Sequence, residues 1–306
     1  MSQRSKRRMT PAEVVEALEE VYAPCTLCEQ RCGAMRPHGE RGACGLADEV
    51  HLYNRLLHVG EEAPLVPSLA IFNTGCSMAC NFCSEAEHLL PPFAPPAADP
   101  ELLALRVAVE LTGKWSAAQN INFVGGEPGI ILPFIARFAR RLDELVEQRP
   151  PILLNTNGYL TPRALELAAH LCEIFVVDLK FGNDACAQSI ANVQDYWAVL
   201  TRNLRWLHQR ARSNPNADPV PDVVLWVRHL LMPGHLACCT SPTLRWLAEH
   251  APHAHVNVMP AFHPFGLADN APWRALTKEE SEQGRAMLEA SGLELAWFDG
   301  RRLRRA

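Results

Sequence analysis

The sequence lacks the features of an exported or membrane-bound chain. It contains no uncharged apolar run of about 18 residues or more, so no transmembrane helix is predicted. The first residues, MSQRSKRRMTPAEVVEALEEVY, contain a twin arginine but no apolar segment behind it, and an export signal is therefore not predicted. We expect a cytoplasmic protein without a membrane partner.

The chain also lacks an excess of positive charge. Its 29 Lys and Arg residues stand against 34 Asp and Glu residues, which gives a formal net charge of −5. No basic field is therefore predicted that could hold a phosphate backbone, and a nucleic-acid partner is not expected. With 48% hydrophobic residues, the 306-residue chain can still bury a substantial core.

Cysteine, in contrast, is plentiful and clustered, with eleven residues in all. In the reducing cytoplasm such clusters indicate metal or redox chemistry rather than disulfides. Four of them, Cys25, Cys28, Cys32 and Cys44, follow an N-terminal amphipathic helix at spacing C-x2-C-x3-C-x11-C. This spacing predicts a small loop-built metal module, with His38 as a substitute ligand. The module would hold either zinc or an iron-sulfur cluster, which would be a second cluster beside the one considered below.

From residue 69 the sequence pattern changes to short apolar runs that alternate with helical stretches. Continuous apolar strands separated by helices predict βαβ units around a parallel sheet that is buried on both faces. We therefore predict an α/β fold, with residues 1–68 as the N-terminal helix and cysteine module and residues 69–306 as the core. The predicted strands are LAIFN (69–73), INFVG (121–125), ILLNT (152–156), IFVVDLK (174–180), VVLWVRHLL (223–231) and HVNVMP (255–260).

The residues at the ends of these strands are unusually polar. Because the carboxyl ends of parallel strands meet at one edge of a sheet, we expect these side chains to surround a common site. In chain order they are Cys76, Cys80 and Cys83, then Gly125 to Pro128, Asn155 to Gly158, Asp178 and Lys180, Arg228 and His229, and Asn257 with His263. A Lys beside an Asp at one strand end also fits a plain salt bridge.

The first of these groups, GCSMACNFC, has the spacing C-x3-C-x2-C. Three thiolates are one too few for a closed structural zinc site, but they fit an iron-sulfur cluster with one iron left without a protein ligand. Such an iron can bind a chelating substrate. The alternatives are a zinc knuckle or a set of buried cysteines.

With Phe82 before its last cysteine, this loop resembles the cluster loop of the radical S-adenosylmethionine superfamily. Gly125, Gly126 and Glu127 resemble the GGE motif of that family, whose backbone holds the amino group of S-adenosylmethionine. The segments NTNGYL, VDLKFG, VRHLLMPGH and MPAFHPFG further resemble pyruvate formate-lyase activating enzyme and its relatives. The resemblance implies a partial (β/α)6 barrel.

The same resemblance implies a set of binding residues. It implies a [4Fe-4S] cluster on Cys76, Cys80 and Cys83, with Phe82 beside it. The further implied contacts to S-adenosylmethionine are Gly125, Gly126, Glu127, Asn155, Lys180 and His263, and Asp178 and Arg228 are implied contacts to substrate or S-adenosylmethionine. Asn155 stands where the activase pattern usually has Asp.

Three functions follow as hypotheses. The first is an enzyme that cleaves S-adenosylmethionine reductively, with electrons from a carrier such as flavodoxin or ferredoxin, and uses the 5'-deoxyadenosyl radical on a small molecule or peptide. The second is an activase that makes a glycyl radical on a partner enzyme. The third is a non-catalytic iron-sulfur or zinc-binding protein. The Pro-rich segment 91–100 is predicted to be a loop over the mouth of the site.

The remaining histidines carry no metal-ligand spacing on a regular element. We interpret Cys172 as a core residue, and Cys186, Cys238 and Cys239 as small buried hydrophobic residues, with a redox role as the alternative. His88 and His235 are interpreted as solvent-facing or capping residues.

Overall fold

The structure is a computed structural model that describes residues 8–89, 93, 95–113, 116–211, 223–263 and 273–303. Part of the predicted Pro-rich loop, at positions 91, 92 and 94, lies outside the described residues. The end of the MPAFHPFG segment, from residue 264 onward, lies outside them as well.

The core is a single mixed sheet whose strands lie side by side in chain order. The strands β2 to β8 pair in parallel, while β1 pairs antiparallel with β2 and β9 pairs antiparallel with β8. The strands are β1 (Leu52–His58), β2 (Ser68–Asn73), β3 (Asn120–Gly125), β4 (Ile152–Thr156), β5 (Ile174–Asp178), β6 (Val224–Leu230), β7 (His255–Met259), β8 (Ala296–Phe298) and β9 (Arg301–Arg302). The predicted α/β class with a parallel, barrel-like sheet is confirmed.

Helices alternate with the parallel strands, as the sequence pattern predicts. They are α1 (Pro11–Tyr22), α2 (Ala86–Leu89), α3 (Pro100–Leu111), α4 (Leu132–Leu145), α5 (Pro162–Leu171), α6 (Asp184–Ala191), α7 (Tyr196–Arg210), α8 (Ser241–His250) and α9 (Lys278–Ala290). A capping box at Thr10 and Glu13 starts α1, since the Thr10 hydroxyl accepts from the Glu13 amide and the Glu13 carboxylate accepts from the Thr10 amide. None of the described helices has the length and apolar composition of a membrane span.

The six predicted strands correspond to β2 through β7, and the sequence pattern missed β1. Residues of the parallel strands are almost wholly buried, as in Ile152, Leu153 and Leu154. The strand β1 lies before residue 69 and extends the sheet of the core at its edge. The helix α1 packs against α4 and α5. The predicted boundary at residue 68 stays a prediction.

Candidate active site

A cavity of about 460 Å³ lies at the carboxyl ends of the parallel strands. It is within the size range of small-molecule sites. The predicted site residues that line it are Cys76, Cys80, Phe82, Cys83, Gly125, Gly126, Asn155, Asp178, Lys180, Arg228 and His263. The topology therefore brings together side chains that are spread over almost 190 positions of the sequence, roughly as parallel-sheet geometry requires.

The three thiols of the cluster loop share this cavity. Cys80 is buried, and Cys76 and Cys83 are partly buried. Burial raises the pKa of all three thiols, and it raises that of Cys80 to about 11 although the nearby Lys180 opposes the rise. As free thiols they are protonated at neutral pH, so metal binding must displace their protons.

Two polar groups reach the Cys76 sulfur. The Met78 amide donates to it at 3.4 Å, and the Asn157 side-chain amide lies 3.7 Å from it. Asn157 also donates to the Ser77 hydroxyl at 3.1 Å, which holds its amide toward the loop. Hydrogen bonds to ligand sulfurs tune iron-sulfur centres, so Asn157, which the sequence analysis gave only as part of the strand end 155–158, is a candidate for this role.

The glycines at the end of β3 are required by a close backbone approach. The Gly126 amide donates to the Asn73 carbonyl at 2.7 Å, and the Glu127 amide donates to the Gly75 carbonyl at 2.9 Å. A Cβ atom on Gly126 would lie only 2.0 Å from that Gly75 carbonyl oxygen. Gly125 has a φ of +107°, which also favours glycine. The cluster loop thus lies directly on the end of β3.

Glu127 differs from the other predicted contacts because it is not among the residues that line the cavity. It is fully buried and accepts three hydrogen bonds, from the Gly129 amide at 2.7 Å, the Thr156 hydroxyl at 2.6 Å and the Asn157 amide at 2.7 Å. Burial raises the pKa of Glu127 to about 7, although these donors oppose the rise. Its carboxyl group ties the end of β3 to the end of β4.

This carboxyl group predicts a pH dependence of stability. Because the folded pKa of about 7 lies above the ordinary 4.5, the folded state holds the proton more tightly. The contribution of this proton to the free energy of unfolding is therefore fully present below about pH 4.5. It is lost as the pH rises through about 7, which lowers the free energy of unfolding by about 3 kcal/mol in total. Urea unfolding from pH 5 to pH 8 should show this loss.

The variant Glu127→Gln should flatten that slope, because a glutamine does not titrate. It should also be about 1–3 kcal/mol less stable than wild type at pH 5, since its NH2 group faces a backbone amide donor. Glu16→Gln, at an exposed position of α1, is the matched control and should keep the wild-type slope. An unchanged slope in Glu127→Gln would contradict the assignment.

Lys180 and Asp178 form an ion pair at the end of β5. Burial alone would lower the pKa of Lys180, but the Asp178 carboxylate and then the Cys80 thiol outweigh it and raise the pKa. The hydroxyl of Tyr196 accepts a hydrogen bond from the Lys180 amide at 2.8 Å, which fixes the backbone here. A permanent positive charge therefore lies beside the cluster loop.

Arg228 is already paired with a carboxylate that sequence reasoning missed. Its Nε donates to Glu62 at 2.9 Å, and its guanidinium also lies 3.4 Å from Glu61. The Asn257 amide donates to Glu62 at 2.6 Å. Burial alone would raise the pKa of Glu62, but Arg228 outweighs it and lowers the pKa. The connection between β1 and β2 thus supplies two carboxylates, Glu61 and Glu62, to the guanidinium of Arg228.

Aromatic side chains support the cluster loop from outside the cavity. The Phe82 ring lies 5.6 Å from that of Phe262 and 5.8 Å from that of Trp273. The Trp273 indole also donates to the Asn81 side chain at 2.8 Å. His263, the last predicted contact, lines the cavity and lies 3.1 Å from the Ala261 carbonyl through its Nδ1.

The four N-terminal cysteines lie in one module that touches the cluster loop. Burial raises the pKa of Cys28 to about 12, with smaller contributions from the other three thiols. The thiols of Cys32 and Cys44 both lie within 3.5 Å of where a Cβ atom of Gly42 would be. The Cys76 amide donates to the Cys44 carbonyl at 3.3 Å, so the module and the cluster loop are in direct contact. His38 is exposed.

A buried cation accompanies this module. Arg36 has no exposed surface, and it donates to the Ala47 carbonyl at 2.9 Å and the Ile130 carbonyl at 2.7 Å. Its Nη2 has no hydrogen-bond partner, and within the described ranges no carboxylate forms an ion pair with it. Its charge lowers the pKa of Cys44, against the larger effect of burial. An anionic metal-thiolate centre would supply the missing counter-charge.

The sequence-based interpretation as a small buried residue is wrong for Cys238, which is exposed, whereas Cys239 is buried as expected and Cys186 is partly buried. The side chains of these three cysteines and of His235 gather in one group. Their ligand atoms all lie within 4.8 Å of one another. Cys172, in contrast, is fully buried in the core, as expected.

The comparisons with known proteins identify the family. Residues 70–247, more than half of the chain, match the model of the Radical SAM superfamily, where SAM is S-adenosylmethionine. This chain therefore belongs to the radical S-adenosylmethionine superfamily. Among the curated proteins, an uncharacterised protein of Methanocaldococcus jannaschii is 31% identical over 292 residues, which are 92% of this chain and 79% of that protein.

Solved structures resemble this chain at low sequence identity. SuiB of Streptococcus suis, bound to S-adenosylmethionine, is 11% identical with a TM-score of 0.51 over 73% of this chain and 47% of SuiB. A domain of pyruvate-formate lyase-activating enzyme from Bacteroides vulgatus is 19% identical with a TM-score of 0.42 over 58% of this chain and 97% of that domain. The SuiB likeness concerns the fold alone, and the chain spans about half the length of SuiB.

Proposed function

We propose that this protein is a radical S-adenosylmethionine enzyme that modifies a small molecule or a peptide. The observation that carries the proposal is the convergence of Cys76, Cys80 and Cys83 on one cavity with the backbone of Gly125 and Gly126. Three thiols, one buried and two partly buried, with two amide donors at the Cys76 sulfur and the Lys180–Asp178 pair nearby, fit an iron-sulfur cluster that keeps one iron open.

The residues around the cavity would then have separate roles. Cys76, Cys80 and Cys83 would hold a [4Fe-4S] cluster, and the glycine backbone, Asn155, Lys180 and His263 would bind S-adenosylmethionine. The bound cluster would supply the electron that splits S-adenosylmethionine into methionine and a 5'-deoxyadenosyl radical. The buried Glu127 would hold the two strand ends in register, and the apolar lining, which includes Met78 and Phe72, would exclude water.

The charges of the cavity favour a substrate without phosphate groups. Lys180 is paired with Asp178 and Arg228 with Glu62, so both of these lining cations are already neutralised by carboxylates. Much of the other lining is apolar, with Phe72, Val124, Leu230 and Met259 among its residues. A neutral or zwitterionic small molecule, or a side chain of a peptide, matches such a cavity better than a nucleotide or a nucleic acid.

A cleavage assay tests the proposal. The full chain would be reconstituted anaerobically with iron and sulfide, then given S-adenosylmethionine and a reduced carrier, for which flavodoxin or ferredoxin is the proposed donor. We expect 5'-deoxyadenosine and methionine in equal amounts. A fully loaded cluster that yields neither product would favour the non-catalytic alternative, while product formation only with a glycyl-radical enzyme present would favour the activase alternative.

The N-terminal module is proposed to hold a metal-thiolate centre on Cys25, Cys28, Cys32 and Cys44. Arg36 supports an anionic centre, because a buried charge is costly without a counter-charge and no carboxylate of the described residues pairs with it. The module contacts Cys76 through the Cys44 carbonyl, so an iron-sulfur cluster in the module would be able to pass electrons to the main site. A zinc ion there would only stabilise the fold.

The variant Arg36→Met tests this counter-charge. Without the guanidinium, the metal of the module should be lost to a chelator at least about tenfold faster, a difference of about 1.4 kcal/mol. Arg41→Met, at an exposed position of the same module, is the matched control and should retain the metal. The difference in iron and zinc counts between Arg36→Met and wild type after chelation gives the readout and identifies the metal of the module. Equal loss rates in both variants would argue against the role of Arg36.

A further inference from the structure

A second group of metal-binding side chains lies outside the cavity, after the ends of β5 and β6. The sulfurs of Cys186 and Cys238 are 3.8 Å apart, and those of Cys238 and Cys239 are 4.0 Å apart. The Nδ1 atom of His235 lies 3.6 Å from the Cys186 sulfur and 3.4 Å from the Cys238 sulfur. Among the described residues, this group is close enough to share a single ion.

Local structure assembles this group from two loops. Cys186 lies in the first turn of α6, whereas His235 precedes the π-helical turn Leu236–Thr240 that contains the other two cysteines. A Cβ atom on Gly182 would lie 2.6 Å from the Cys239 carbonyl oxygen, so glycine permits the close approach of the two loops.

An asparagine then joins the two loops. The Asn183 amide donates to the Cys238 carbonyl at 2.8 Å and lies 3.3 Å from the Cys186 sulfur. Its carbonyl accepts from the Cys186 amide at 2.8 Å. A π-helical turn is uncommon and often marks a functional position, and here it presents two consecutive cysteines to the same group.

We propose that Cys186, His235, Cys238 and Cys239 form a structural zinc site that is separate from the iron-sulfur chemistry. Zn–S bonds of about 2.3 Å and Zn–N bonds of about 2.0–2.1 Å, at tetrahedral angles, place ligand sulfurs about 3.8 Å apart and sulfur and nitrogen about 3.6 Å apart. Four of the six separations between these atoms are 3.4–4.0 Å, close to those values, and all six lie within 4.8 Å. Three cysteines and one histidine complete the four positions of a closed site.

The geometry favours one ion over two other uses of the same residues. A disulfide between Cys186 and Cys238 would need the two sulfurs to approach to about 2.0 Å and would leave His235 without a role. An iron-sulfur cluster places its cysteines on different iron atoms, whereas the imidazole nitrogen here faces two sulfurs at once. On binding Zn²⁺, the thiols would release their protons to solvent.

The site would link the loops after β5 and β6 at the edge of the sheet, next to the cluster loop. The His235 ring lies 5.7 Å from the ring of Trp273, which in turn contacts Phe82 and bonds Asn81 in the cluster loop. Zinc would thus hold the loops after β5 and β6 together and give Trp273 a rigid surface to pack on. The protein needs no redox step for this role.

Zinc binding to the full chain tests the proposal. The metal-free, reduced chain would be titrated anaerobically with Zn²⁺ alone, in competition with a chromophoric chelator, as wild type and as Cys238→Ala. Cys238 is exposed, so its replacement removes a ligand without opening the core. Cys172→Ala, at a buried cysteine away from every metal-binding group, is the matched control.

We expect wild type and Cys172→Ala to bind one more tight zinc ion per chain than Cys238→Ala, with affinity at that position lowered at least about 100-fold in the variant. Cys186→Ala should lose the same single ion, and both variants should keep the far-ultraviolet circular dichroism of wild type. Equal zinc counts in wild type and in both folded variants would overturn the proposal. So would a wild-type chain that takes up no zinc at this position and forms a Cys186–Cys238 disulfide instead.

Discussion

Replacing Cys80 with alanine is expected to abolish the cleavage of S-adenosylmethionine. Cys80 is the most buried of the three cluster-loop cysteines, and its sulfur lies in the cavity beside Lys180. Without it, two thiols remain for the three iron atoms that need a protein ligand. We expect the loss of about four iron atoms per chain, and cleavage reduced at least about 1,000-fold, the scale on which essential groups act.

The fold itself should tolerate the substitution. The change from cysteine to alanine removes one sulfur atom and should cost about 1 kcal/mol of unfolding free energy. Cys172→Ala is the matched control, because that thiol is fully buried yet contacts no site residue of the cavity. Iron analysis, 5'-deoxyadenosine formation and circular dichroism would be measured on both variants. If Cys80→Ala still cleaves S-adenosylmethionine, the cluster assignment is wrong.

Features that depend on neighbouring residues in the chain could be predicted from the sequence. The strand Ile152–Thr156 is a continuous apolar run because both faces of a parallel sheet are buried, and its polar end follows from its position at the sheet edge. The spacing of Cys76, Cys80 and Cys83 lies within one loop, so a local motif describes it fully. The strand β1 was missed because its residues are mostly half-buried and show no alternation.

Features that depend on contacts across the fold could not be predicted in this way. Arg228 and Glu62 are 166 positions apart, and Cys186 and His235 are 49 positions apart. Only the order of neighbouring strands in the sheet brings such pairs together. Glu127 shows the converse problem: its type and spacing fit a ligand contact, but its three internal hydrogen bonds and full burial give its carboxyl group a positioning role.

Replacing Gly126 with alanine is expected to have an effect almost as large as the loss of a cluster ligand. The new Cβ atom would lie 2.0 Å from the Gly75 carbonyl oxygen and 3.1 Å from that of Asn73. Because both obstacles are backbone atoms, the cluster loop and the end of β3 must move apart. The two hydrogen bonds that join them, from the amides of Gly126 and Glu127, would then lengthen or break.

This displacement should lower S-adenosylmethionine cleavage about 100-fold or more, since a shift of about 1 Å in a reacting group can cost that much. It should also destabilise the chain by about 2–3 kcal/mol. Gly113→Ala is the matched control, because the nearest atom to its new Cβ would be 3.7 Å away. The cluster loop and the cavity-facing backbone at the end of β3 share this contact. In Gly126→Ala we therefore expect a lower iron content and a higher dissociation constant for S-adenosylmethionine, while the control should keep the wild-type values. Wild-type binding and cleavage in Gly126→Ala would mean that the approach of these two segments does not position the cofactor.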